Sequence, residues 1–135
     1  MIQKVTLRLN DDRQFESEDH RTANDLNPKE LLLYASAMCA GLTIESLLKD
    51  HMNDIKLMEI SIEGNLSTPT VVAESTYTHF NIVYRAECKS LKEQIVISRA
   101  INLAHDKYCG MIQMIRQIAP LSHEISIVAT DSPKE

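Results

Sequence analysis

Aromatic side chains are scarce in this sequence: no tryptophan, 2 Phe and 4 Tyr in 135 residues. Proteins that grip single-stranded nucleic acid stack bases on aromatic rings, so that use is not expected. Positive charge is also short, with 14 Lys+Arg against 19 Asp+Glu and a formal net charge of −5. No basic stripe interrupts this balance. Phosphate binding needs clustered cations that displace counterions, so nucleic acid is not an expected partner. With only 3 glycines, the chain has no glycine-rich phosphate loop. Cysteine is limited to Cys39, Cys88 and Cys109, an odd number set far apart. That is no secreted disulfide framework, and without a C-x-x-C pair a structural zinc site is not expected. Met1 to Asp12 alternates and carries charges, unlike the apolar stretch of a signal peptide. The expected setting is a reducing cytoplasm, where a cysteine is more often reactive than bridged.

What remains is ordinary globular material, 44% hydrophobic and 24% charged. The length suits a single domain, residues 1–135, able to build a core without metal or disulfide. Ile2, Val5, Leu7 and Leu9 sit among polar residues and read as a strand. Asn10-Asp11-Asp12 is turn chemistry, and a short strand over Gln14 to Glu16 would complete a hairpin. Ser17 to Asp25 reads as a loop. Asn27-Pro28-Lys29-Glu30 then gives an N-cap, a proline at the first helical position and a glutamate at the third. The run from Leu31 to Leu42 is apolar or small on every face, which predicts a helix from Pro28 to about Asp50 buried all round. Glu45, Lys49 and Asp50 end the run too soon for a membrane span.

Met58 to Gly64 alternates as a strand, and Phe80, Ile82 and Tyr84 mark another that pairs with it. Ser90-Leu91-Lys92-Glu93 is a second capping box, opening a helix to about Tyr108. Cys109-Gly110 breaks the pattern, Met111 to Ile118 resumes it, and Pro120 stops it. Glu124 to Val128 reads as a closing strand, and Ser132 to Glu135 as a frayed tail. The class is α+β, with long helices covering an antiparallel sheet.

The candidate chemistry lies with the cysteines. Cys39 sits in the middle of the apolar helix, between Ala35, Ser36, Ala37, Ala40 and Gly41. A free cysteine there packs as a small hydrophobe. A reactive one would need a cation brought by another segment or another subunit, because burial alone raises a thiol pKa. Cys109 stands just before a helix, where free backbone N–H groups favour a thiolate. A packing role at the Gly110 kink accounts for it equally well. Cys88, between Glu87 and Lys89, reads as incidental. His105 and Cys109 share a helical spacing, but two ligands make no metal site.

Asn27-Pro28-x-Glu30-Leu31-Leu32-Leu33, Cys39 in the same helix, and Arg99-Ala100-x-x-Leu103-Ala104-His105-x-Lys107-Tyr108-Cys109 together resemble the OsmC/Ohr superfamily. The resemblance implies an OsmC-like α+β fold in which sheets wrap two long central helices of an intertwined homodimer. It implies a cysteine peroxidase that reduces organic hydroperoxides, in oxidative-stress defence, without a cofactor or metal. By that resemblance Cys39 is peroxidatic, Cys109 is resolving, and an external dithiol regenerates the pair. In the peroxidases a glutamate directly follows the helix-start proline and holds a catalytic arginine. Here Lys29 occupies that position, and Glu30 follows about 100° further around the helix. This arrangement is similar to the less-characterised branch of the superfamily. Arg13 is the positional candidate for the arginine, with Arg21 behind it. An alternative use of the same scaffold is a dimer that binds a small apolar ligand at its interface without peroxidase activity.

Overall fold

The computed structural model describes residues 1–130, so the expected frayed tail, Ser132 to Glu135, lies outside the described residues. The Asn10-Asp11-Asp12 turn folds β1 (Ile2–Leu9) back on β2 (Phe15–Ser17), with Leu9 opposite Phe15. The second strand thus begins one residue later than its polar neighbours imply, because Phe15 packs inward. Alternation sends Val5 and Leu7 into the core and leaves Lys4 and Arg8 exposed. A short 3₁₀ turn (Ala23–Asp25) leads into α1 (Pro28–Leu48).

The capping box forms as its residue types dictate. The Asn27 side chain accepts from the Lys29 and Glu30 amides, and Glu30 accepts from the Asn27 amide at 3.0 Å. One face of α1 buries Leu33, Ala37, Ala40, Ile44 and Leu48. Each large aliphatic side chain so covered contributes about 1.5–3 kcal/mol. Gly41 is required by a close approach. A Cβ there would lie 2.8 Å from the Phe15 ring, which crosses the helix at that point. Burial all round is not what this chain achieves alone. Tyr34, Met38 and Cys39 are half-buried, and Leu42 is 51% exposed. The helix ends two residues before the expected Asp50, passing into a 3₁₀ segment (Lys49–Asp54). By composition and length alone the stretch Pro28–Asp54 is apolar enough to cross a membrane, contrary to the expectation that charges end the run too soon. Here it is the helix that packs on the sheet.

Strands β3 (Ile55–Leu66) and β4 (Tyr77–Cys88) form a long antiparallel hairpin with Ile62 opposite Ile82. Both outrun their alternating centres, because register shifts near Ile55 and Leu66 break the pattern without ending the ladder. Ser90 caps α2 (Leu91–Leu103). The helix expected to reach Tyr108 instead widens into a π-helical turn (Ala104–Tyr108) before α3 (Gly110–Ile118). β5 (Leu121–Ala129) then joins the sheet, giving the order β2-β1-β3-β4-β5. The first four strands are antiparallel as expected, while β5 runs parallel to β4 with Ile125 beside Tyr84. The sheet is therefore mixed. A return through two helices is long enough to bring the chain back in the parallel sense, which no tight turn allows.

Candidate active site at a cysteine pair

α1 and the π turn bring Cys39 and Cys109 together. Their sulfurs lie 3.1 Å apart, Cys109 donating, about 1 Å beyond a disulfide bond, and both thiols are free. The small residues around Cys39 permit this approach, since none of Ala35, Ser36, Ala40 or Gly41 projects far from the helix. Cys39 is half-buried and Cys109 fully buried. Burial pushes the Cys109 thiol up to about 12, and its contact with Cys39 pushes in the same direction. Cys109 thus holds its proton and offers it to the neighbouring sulfur.

Cys39 opens on a groove of about 740 Å³ lined by Tyr34, Met38, Leu42, Leu47 and Tyr108 among others. No charged side chain is among its described lining residues. The groove follows the exposed apolar face of α1 and offers a place for an apolar molecule beside the sulfur.

Glu30 has two partners. Besides capping the helix, its carboxylate takes Arg21 Nη1 at 3.0 Å. Arg21 also pairs with Asp19 at 2.8 Å and donates to the Lys4 carbonyl. Of the two candidate arginines, Arg21 and not Arg13 reaches the carboxylate, because Arg13 donates to the Ile55 carbonyl instead. The Arg21–Glu30 pair lies at the first turn of α1. Arg21 lines a separate polar groove with Lys4, Arg8 and Glu59, and neither residue lines the groove at Cys39. Lys29 turns away from both, its Nζ donating to the carbonyls of Val72 at 3.0 Å and Ala73 at 3.3 Å. Tyr77 ties this region further, its hydroxyl reaching Gln3 Oε1 at 2.6 Å and the Lys29 carbonyl at 2.8 Å.

Cys88 is buried elsewhere, near the carbonyls of Ser90 and Val128, and burial raises its thiol pKa. His105, four residues before Cys109, has a partner that sequence reasoning missed. Tyr84 Oη lies 2.8 Å from His105 Nδ1, and His123 stacks on the same imidazole at 4.1 Å. No local signal links Tyr84 to His105, because the contact joins a strand to a helix 21 residues later. No group of three or more metal-ligating side chains occurs among the described residues.

Comparison with known proteins places this geometry in a family. A family model described as OsmC-like protein matches residues 21–124, from Arg21 through both cysteines to β5. Protein YhfA of Escherichia coli (strain K12) is 26% identical over 103 residues, which is 76% of this chain and 74% of that protein. A hypothetical protein from Aquifex aeolicus VF5 superposes with a TM-score of 0.61 and 23% identity, over 94% of each chain. An OsmC like protein from Mycoplasma pneumoniae gives a TM-score of 0.58 and 18% identity, over 95% of this chain and 96% of that one. These two structures share the fold. The family match takes in more than half of the chain, with the cysteine pair inside it, and the chain therefore belongs to the OsmC-like family.

Proposed function

We propose that the protein is a thiol-dependent peroxidase that reduces organic hydroperoxides in oxidative-stress defence. The observation that carries this reading is the 3.1 Å approach of two free sulfurs at the head of an apolar groove. Cys39, the more accessible sulfur, attacks the hydroperoxide O–O bond as a thiolate. That bond breaks, the hydroxyl passes to Cys39 to give a sulfenic acid, and the alkoxide takes up the proton that Cys39 released and leaves as the alcohol. Cys109 then attacks the Cys39 sulfur. The S–O bond breaks, the disulfide forms, and the Cys109 proton departs with the hydroxyl as water. An external dithiol returns both sulfurs to thiols in the reducing cytoplasm. Glu30 is the carboxylate that orients Arg21, at the first turn of α1 and outside the groove at Cys39, so a cation for the site is left to another segment or to a second copy.

A homodimer completes this reading. The exposed apolar face of α1, with Leu42 at 51% and Leu47 at 38%, is the surface a second copy would cover. A partner would also close the groove beside Cys39. Stopped-flow turnover of cumene hydroperoxide with a dithiol tests the activity. Cys39→Ser is expected to lower the rate at least about a hundredfold, as loss of a nucleophile does. Cys109→Ser is expected to leave a single oxidation of Cys39 and stop turnover supported by the internal disulfide.

The uncharged lining of the groove favours a second reading, a dimer that holds a small apolar ligand there without peroxide chemistry. The rate of Cys39 alkylation against pH separates the two. An apparent pKa well below the free-thiol value of about 8.5 belongs to the peroxidase, and one at or above it to the binding protein.

A further inference from the structure

A π turn costs helical regularity and recurs where a functional residue must be aimed. In the turn Ala104–Tyr108 the wide winding ends at Cys109, whose amide bonds the Ala104 carbonyl, five residues back, at 2.9 Å. Neighbouring elements hold this turn at His105. On β4, Tyr84 Oη lies 2.8 Å from its Nδ1. From α3, Arg116 and Gln113 donate to its carbonyl at 2.8 Å and 3.0 Å. On β5, His123 stacks against its ring. Tyr84 and His105 are buried, at 0% and 1% exposure, and the peroxide chemistry described above uses neither.

We propose that the Tyr84–His105 hydrogen bond is a positioning device that fixes the π turn and so holds the Cys109 sulfur within bonding reach of Cys39. The inference deepens the thiol reading and rests on Cys39 and Cys109 forming an internal disulfide. The bond sets the distance across which Cys109 attacks, and takes no proton itself. Burial keeps the Tyr84 phenol protonated. Burial, His123 and Arg116 keep the His105 imidazole neutral, against a small opposing pull from Asp106. The pair therefore acts as a neutral strut between the sheet and the turn.

The test measures how strongly Cys109 competes with glutathione for Cys39, by equilibrating the full-length protein in glutathione redox buffers. Tyr84→Phe keeps the ring and removes only the hydroxyl. It is expected to lower the effective concentration of Cys109 toward Cys39 by about tenfold or more, because misorientation spoils an intramolecular reaction. Alkylation of Cys39 by iodoacetamide is expected to stay within about twofold of the parent. His105→Phe removes the hydrogen-bond partner from the other side and is expected to give the same loss, should Tyr84→Phe fail to fold. His105→Gln, whose amide can pair with the Tyr84 hydroxyl as donor or acceptor, is expected to retain most of the parent value. An unchanged effective concentration in a folded Tyr84→Phe or His105→Phe protein would overturn the proposal. So would a parallel change in Cys39 alkylation, which would mean general loosening. Neither readout uses a hydroperoxide. A parent without peroxide turnover but with a Tyr84-dependent disulfide would overturn the peroxidase reading and leave this one standing.

Discussion

The two cysteines differ in what surrounds them, and that difference supports the proposed order in which they react. Cys109 is sealed in the core with its thiol pKa near 12, so it holds a proton at neutral pH. Cys39 meets the groove, where an incoming molecule would arrive. The buried groups also leave a signature in stability. The unfolded chain loses the Cys109 proton above about pH 8.5 while the folded chain keeps it until about 12. Stability is therefore expected to fall as pH rises through that window. His105 works at the other end, because burial and His123 lower its pKa from 6.5 to about 4. Below pH 6.5 the unfolded chain takes up a proton that folded His105 refuses, so stability falls as pH drops toward 4. The slope for one such proton is at most about 1.4 kcal/mol per pH unit. Urea midpoints at pH 7 and pH 5 check this, and His105→Gln is expected to flatten the acid side.

At the scale of elements, the strongest local codes are those that need no distant partner. Asn27→Ala removes the one oxygen that accepts from two helix-start amides and is expected to cost about 1 kcal/mol. It is also expected to loosen Glu30, whose carboxylate bonds the Asn27 amide and Arg21 together. Gly64→Ala is expected to cost about 1–3 kcal/mol. A Cβ there would fall on the Tyr77 ring, which must then release Gln3 and the Lys29 carbonyl. Thermal or urea denaturation reads both. The same contrast explains what the sequence makes legible. Both capping boxes and the helix break at Cys109 follow from short-range residue types. The π turn does not, because His105 is pinned by a tyrosine from another strand. The parallel sense of β5 is equally hidden, since strand alternation carries no direction. The pairing of Glu30 with Arg21 is hidden because the capping role already accounts for Glu30, and the intervening loop carries no register.

At the scale of the whole molecule, α1 presents one apolar face to the sheet and a second to a groove that one chain leaves open. Sedimentation is expected to find a dimer, and Leu42→Glu together with Leu47→Glu to shift it to monomer, because each places a charge in the face that a second copy would cover. If the partner also closes the site, the same variant is expected to lose peroxide turnover while its chain still folds. The departure at Lys29 bears on this level too. Its ammonium fastens the loop between β3 and β4 to the start of α1, so the position serves architecture where the peroxidases carry their acid. The cation demanded by a reactive Cys39 is then left to another segment or to a second copy, because no charged side chain is among the described lining residues of its groove. The most direct measurement is stopped-flow consumption of cumene hydroperoxide by the reduced protein, with sulfenic acid and disulfide followed at Cys39. The parent is expected to oxidise Cys39 first and then close the bond to Cys109, and Cys39→Ser to do neither. Equal peroxide consumption by Cys39→Ser and the parent would contradict the assignment.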